Sequence, residues 1–178
     1  MQDEGERPGA APHEGPHPRP DVRVRLDPMT AAEFGRYFEP AIRAYAHEKV
    51  VSGEWAPEEA VELSRRDHAR LLPDGLATPD QFLFTVRDEP TNQVVATLWL
   101  TLRMRGVQVE AYVYDIEVIE SRRRQGYGRA TMQACLDQAR DLGADSIGLH
   151  VFGHNTTARA LYDSMGFKPT NINMTLKL

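Results

Sequence analysis

From Val22 onward the apolar positions follow two different periods, and each switch between them marks a change of element. Val22-Arg23-Val24-Arg25-Leu26 alternates and predicts a first strand. Thr30 followed by Glu33 has capping-box spacing, so a helix is expected from there toward Val50, with Pro40 kinking or splitting it. Gly53 closes that segment, and Pro57-Glu58-Glu59 suits the first turn of a second helix running to Leu72. Three strands are predicted next, over Phe82–Arg87, Val94–Arg103 and Val109–Val118. Their joins, Glu89-Pro90-Thr91-Asn92 and Arg105-Gly106, have turn chemistry, so the three form an antiparallel meander. A helix over Arg129–Leu142 places Met132, Cys135, Leu136 and Ala139 on one face. Ser146–Val151 reads as a strand, Asn155 as the cap of a helix over Thr156–Met165, and the chain is expected to close in a strand ending at Met174–Leu178.

Residues 1–20 break this pattern. Pro8, Pro12, Pro16, Pro18 and Pro20 alternate with glycine and charge and leave nothing to bury, which predicts a disordered tail ahead of one domain over residues 21–178. His13 and His17 lie in that tail and are read as solvated. The start, Met1-Gln2-Asp3-Glu4-Gly5-Glu6, is acidic and lacks the apolar core of a secretory signal. No apolar run approaches the roughly 20 residues that span a bilayer, so no membrane association is expected. Cys135 is the only cysteine, which excludes an internal disulfide and a cysteine-rich zinc site. It fits a reducing cytoplasm, and its place on an apolar helix face makes it a core filler. A formal net charge of -5 argues against nucleic acid as a partner.

The chemistry concentrates between Ile116 and Ala130. An apolar strand stops, a basic turn with Gly126 and Gly128 follows, and a helix starts at once. Free amides at a helix start favour negative charge, and the two glycines let the backbone approach a phosphate. A Walker A loop is excluded because Gly128 is followed by Arg129-Ala130. A dinucleotide fingerprint is disfavoured by Thr131 where a third Gly or Ala belongs. Farther on, Asn155, Ala158, Leu161-Tyr162 and Gly166-Phe167 form a second spaced motif.

Together the two motifs resemble the GCN5-related N-acetyltransferase (GNAT) superfamily. Its pyrophosphate loop reads Arg or Gln, two residues, Gly, one residue, Gly or Ala, matched here by Arg123 to Gly128. The resemblance covers residues 22–178. It implies an α/β fold with a mixed, mostly antiparallel central sheet flanked by helices, the acyl-CoA N-acyltransferase fold. It also implies transfer of an acetyl group from acetyl-CoA to an amine, with no metal. One departure is that only 11 residues follow Phe167, where the family usually closes with two strands. A homodimer in which a partner completes that edge is therefore kept open.

Residue by residue, the resemblance places the pyrophosphate over Arg123, Arg124, Gln125, Gly126, Tyr127, Gly128 and Arg129, with the backbone carrying most of the binding. Val118 and Ile119 match positions exposed to pantetheine, and the Val118 amide is the expected oxyanion donor. Asn155 matches a CoA contact and equally suits a helix cap. Glu117, at the end of the central strand, is the expected proton acceptor, with Asp115 on its face by the period of two. A salt bridge to a nearby arginine is the competing role for Glu117. Glu120 reads as structural and Glu110 as a distant third choice. Tyr162 matches the tyrosine that protonates the departing thiolate, and it also belongs to an apolar face with Ala158, Leu161 and Met165. His47, Glu48, Trp55, His68, Tyr112 and Tyr114 lie where an acceptor would sit, and none identifies it. Two alternatives stand beside this reading: a catalytically silent CoA-sensing module, and an acyltransferase using another acyl-CoA or an oxygen acceptor.

Overall fold

A computed structural model describes residues 22–174 and Leu176. The tail expected over residues 1–20 lies outside them, as do Thr175, Lys177 and Leu178. Five strands form one sheet in the order β1-β2-β3-β4-β5: β1 (Val24–Pro28), β2 (Gln81–Asp88), β3 (Val94–Arg105), β4 (Gln108–Val118) and β5 (Ser146–Leu149). The first four are antiparallel in sequence order; short turns dictate this for β2, β3 and β4, while β1 reaches β2 through the two helices between them. β5 joins β4 in parallel after the helical crossover that parallel pairing requires. The mixed, mostly antiparallel sheet expected from the sequence is therefore observed.

Four helices cover the two faces: α1 (Ala31–Val51) and α2 (Pro57–Leu71) on one, α3 (Tyr127–Asp141) and α4 (Thr156–Ser164) on the other. The strand alternation explains the division. Leu83 and Trp99 point to α1 and pack with Met29, Tyr37, Ala41 and Leu72. Val86, Ala96, Leu98, Leu100, Ala111 and Val113 point the other way and pack with Met132, Cys135 and Ala139 of α3 and Tyr162 of α4. Cys135 is buried in that core, where desolvation pushes its thiol up to about 12 and leaves it inert. Among the described residues no helix is long and apolar enough to cross a membrane.

The capping box forms as expected, with the Thr30 side chain accepting from the Glu33 amide and Glu33 Oε2 accepting from the Thr30 amide at 2.9 Å. Such a cap stabilises a helix start by about 1 kcal/mol. The split allowed at Pro40 does not occur: α1 runs unbroken from Ala31 to Val51. Pro40 is exposed, so water can satisfy the carbonyl it leaves unbonded. The closing strand expected to end at Met174–Leu178 falls largely outside the described residues, which leave out Thr175, Lys177 and Leu178. Ile172, Met174 and Leu176 stand exposed.

Candidate active site

β4 carries the geometry that matters. Its pairing with β3 slips between Trp99 and Leu100, so Tyr114 is an extra residue in the ladder. A bulge of this kind bends the strand and re-aims side chains. It stands one residue past Val113, where the pairing of β4 with β5 ends (Val113 opposite Leu149). Beyond that point β4 continues to Val118 without β5, and the two chains separate. The Ile119 amide donates to the Val95 carbonyl at 2.9 Å. Antiparallel ladders alternate, so the amides of Ile116 and Val118 face the opposite edge, into the opening that β5 has left.

The turn after β4 is an anion cradle made of main chain. The amides of Arg124, Gln125, Gly126, Tyr127, Gly128 and Arg129 find no main-chain acceptor among the described residues, and the first helical bond is Ala130 N–H to the Gly126 carbonyl. Arg124 and Gly126 both adopt left-handed backbone, with φ of 63° and 97°. Such turns gather successive amides into a concavity for an anion, reinforced here by the start of a 15-residue helix. Holding a non-glycine residue there costs energy, and residues so strained cluster where ligands bind. A Cβ on Gly126 would sit 3.3 Å from Val22 Cγ2, and one on Gly128 would meet Leu161 and Val118.

The side chains of this turn are largely occupied by the protein itself. Arg122 donates to Gln93, Arg123 Nε to the Val118 carbonyl at 3.0 Å, Gln125 Nε2 to the Ser121 carbonyl at 2.8 Å and Arg129 to Ser164 Oγ at 2.6 Å. Among the described residues, Arg124 is the arginine of this turn without such a partner. Two sequence expectations change here. The Arg123 amide is spent on the Glu120 carbonyl, and Tyr127 turns its buried ring inward, its hydroxyl donating to Asp88 Oδ1 at 3.2 Å. Only the Tyr127 amide remains open to a ligand. Ile119 likewise has both main-chain groups engaged and keeps only an exposed side chain for contact.

Two carboxylates leave β4 on the α1 face. Glu117 is half-exposed, with Oε1 3.5 Å from Arg123 Nη2, which is the salt bridge weighed against it from the sequence. Asp115 is more enclosed and accepts a hydrogen bond from the Tyr37 hydroxyl at 3.0 Å. Burial pushes its pKa up to about 6 against the lowering effect of that bond, and the neighbouring Glu117 charge adds to the rise. Tyr162, on the other side of β4, is 8% exposed. Desolvation and then the charge of Asp115 push its hydroxyl up to about 12, so it stays protonated at neutral pH. The structure thus brings Asp115, Tyr37 and Tyr162 around one stretch of β4. Tyr37 carried no sequence signal beyond an apolar helix face, because its partner is 78 residues away.

The remaining sequence candidates fall elsewhere. Glu110 is buried at the far end of β4 between Arg103 and Arg105, in space that Gly148 leaves for it. Asn155 caps α4, accepting from the Ala158 amide at 3.0 Å. His68 is buried among Phe38, Tyr45 and Trp99, and its Nδ1 lies 2.9 Å from the Ser64 carbonyl. Desolvation lowers its pKa, as expected of a core histidine. Trp55 packs edge-on against Tyr45, Glu48 pairs with His154 at 2.6 Å, and Tyr112 and Tyr114 stack near Trp99.

Comparison with known proteins gives this arrangement its family. Residues 41–167 match the Acetyltransferase (GNAT) family. The chain belongs to that family. It is 38% identical over 157 residues to the uncharacterised N-acetyltransferase YycN of Bacillus subtilis, covering 88% of this chain and 100% of YycN. It is 31% identical to the uncharacterised N-acetyltransferase YdgE of the same organism, over 86% of this chain and 97% of YdgE. The crystal structure of YycN superimposes with a TM-score of 0.83, covering 87% of this chain and 98% of that one. An acetyltransferase structure from Pyrococcus furiosus, at 21% identity and a TM-score of 0.62 over 88% of this chain and 100% of that one, shares the fold. The GNAT family and its fold are therefore shown for the chain, and that membership supports acyl transfer in general terms.

Proposed function

We propose that this GNAT protein transfers the acetyl group of acetyl-CoA to an amine by direct attack within a ternary complex. The observation that carries the reading is the run of six open amides beginning at Arg124, set beside the separation of β4 from β5. The residues fit the cosubstrate: the amides and the start of α3 suit a pyrophosphate, and the glycines keep side chains out of its way. Arg124 adds a charge-assisted contact, while Arg123, Gln125 and Arg129 hold the turn in shape. Acetyl-CoA supplies the activated acyl group. The chain's own groups then have three tasks.

The Val118 amide, aimed into the opening, donates to the thioester carbonyl as charge develops there, and the Ile116 amide faces the same way. The acceptor must lose a proton, because an alkylammonium of pKa about 10.4 holds its lone pair at a cost of about 4–5 kcal/mol at pH 7. Asp115 takes that proton, directly or through water. Its pKa of about 6 is close to the operating pH, which is where a general base works best. Glu117 was the carboxylate favoured from the sequence; its exposure and its pairing with Arg123 give it the lesser role of adding negative charge near the amine. Tyr162 supplies the proton side of the leaving step. With a pKa of about 12 it is a weaker acid than a free thiol of about 8.5, so it steadies the thiolate chiefly as a hydrogen-bond donor.

Release of free CoA from acetyl-CoA across a panel of amines, alcohols and peptides, alongside calorimetric titration of acetyl-CoA, tests the reading. Binding with turnover on amines alone supports it. Binding without turnover on any acceptor would favour a sensing module, and turnover only with longer acyl-CoA or with alcohols would redirect the donor or acceptor assignment.

A further inference from the structure

On the α1 face of the sheet one row of polar residues crosses four strands. Asp27 stands opposite Thr85, Thr85 opposite Thr97, and Thr97 opposite Glu117, so four polar residues form a single row across β1, β2, β3 and β4. The row runs beside a cavity of about 280 Å³ lined by Met29, Glu33, Arg36, Tyr37, Thr85, Val94 and Thr97. Tyr37 links this cavity to the reacting region through its bond to Asp115. Thr85 is 2% exposed, yet its hydroxyl has no hydrogen-bond partner. It comes close enough to Glu33 to help lower that carboxyl's pKa without making a bond of normal geometry. A buried hydroxyl left unsatisfied costs about 1–3 kcal/mol, a cost that a bound polar ligand would remove.

The charges along the row are uneven. At the β1 and β2 end, Asp27 and Glu33 are balanced by Arg25 and Arg87. Arg36, on α1 above them, has no ion pair among the described residues and leaves one positive charge in excess. At the β4 end Glu117 is paired with Arg123, and Asp115 leaves one negative charge in excess. Arg36 therefore places a cation in the cavity lining, and Asp115 lies just outside it, bonded to the lining Tyr37.

We propose that this cavity holds the acceptor, and that the acceptor is an ω-amino acid-like zwitterion, its ammonium at Asp115 and its carboxylate at Arg36 and Thr85. The proposal rests on the acetyltransferase reading above and adds to it the length and charge of the second substrate. Thr85 and Asp115 are two strand spacings apart and offset by two residues along the strand, about 12 Å. Allowing for contacts at each end, the amine and carboxylate stand about 8–11 Å apart, which an extended chain covers in about six to nine bonds at ~3.8 Å per three bonds. Arg36 and Thr85 are thus specificity residues, remote from the atoms that react.

The test is acetylation of straight-chain amino acids with about one to eleven methylenes between amine and carboxylate, each compared with the plain alkylamine of equal length. In every case acetyl-CoA binding is measured separately by calorimetry. The expected result is a maximum in kcat/KM at about five to eight methylenes, at least tenfold above the matching alkylamine. Arg36→Gln should erase that advantage while leaving the alkylamine rates unchanged. Thr85→Val should raise KM for the favoured acceptor threefold or more while leaving thermal stability equal or higher, since it removes a buried hydroxyl that lacks a partner. A purely structural Thr85 would change stability and leave KM alone. Equal rates for amino acids and alkylamines, a preference without an optimum length, or no turnover of any acceptor in the series despite intact acetyl-CoA binding would each overturn the proposal and spare the acetyltransferase reading. Loss of acetyl-CoA binding itself would overturn both.

Discussion

The two sides of β4 are built from different materials. On the side toward α3, main chain does the work: open amides, two glycines, a helix start and an edge that β5 has vacated. On the side toward α1, side chains do it, drawn from β1, α1, β2, β3 and β4 and held by ion pairs and one hydroxyl-to-carboxylate bond. Main-chain sites tolerate almost any residue that permits the backbone shape, so their signature is short and local. Side-chain sites depend on which residues the fold brings together, and within one family they are free to differ. A shared donor with variable acceptors is what this asymmetry permits.

Breaking the main-chain side should produce the largest effect. Gly126→Val forces a β-branched residue to φ 97° and sets its Cβ 3.3 Å from Val22. Acetyl-CoA affinity measured by calorimetry should fall more than about 100-fold, because an amide displaced from the cradle loses its charge-assisted bond and distorts its neighbours. Retained affinity would show that the turn is not the pyrophosphate site.

On the side-chain face, Asp115→Asn should lower kcat/KM by about 10²–10⁴, the usual worth of a general base. The same change should stabilise the fold at alkaline pH. A carboxyl whose folded pKa is about 6 binds its proton more tightly in the folded state than in the unfolded one. Folding stability therefore declines as pH rises from the ordinary value near 3.9 through about 6. Asparagine cannot ionise and escapes that decline. Thermal or urea unfolding should find it about 1–3 kcal/mol more stable than the parent at pH 8 and little different near pH 3.5.

Tyr162→Phe sits between the two sides and should have the smallest of the three effects. Acetyl-CoA binding should stay intact while kcat falls about 10–100-fold, the worth of one hydrogen bond to a charged leaving group. An unchanged kcat would return Tyr162 to the role its burial alone explains, packing against Phe167.

The same asymmetry decided what could be read from the chain before its structure. Elements with local causes were legible: the capping box at Thr30, the meander through short turns, and the glycine turn from Arg123 to Gly128. The bulge at Tyr114 was not, because it is a relation between β3 and β4 and neither strand shows it alone. Asp115 was visible only as a neighbour of Glu117. Its enclosure and its bond to Tyr37 depend on where α1 crosses the sheet. The row from Thr85 to Thr97 to Glu117 follows from strand register, which single-strand patterns leave open.

The most direct test of the side-chain account is the pH dependence of kcat/KM for the parent, Asp115→Asn and Glu117→Gln with one saturable amine, corrected for the amine's own ionisation. The account predicts an acidic limb with unit slope and an apparent pKa of about 6 in the parent, the same limb in Glu117→Gln, and its disappearance in a much slower Asp115→Asn. A limb that survives in Asp115→Asn and vanishes in Glu117→Gln would give the proton to Glu117 and contradict the account.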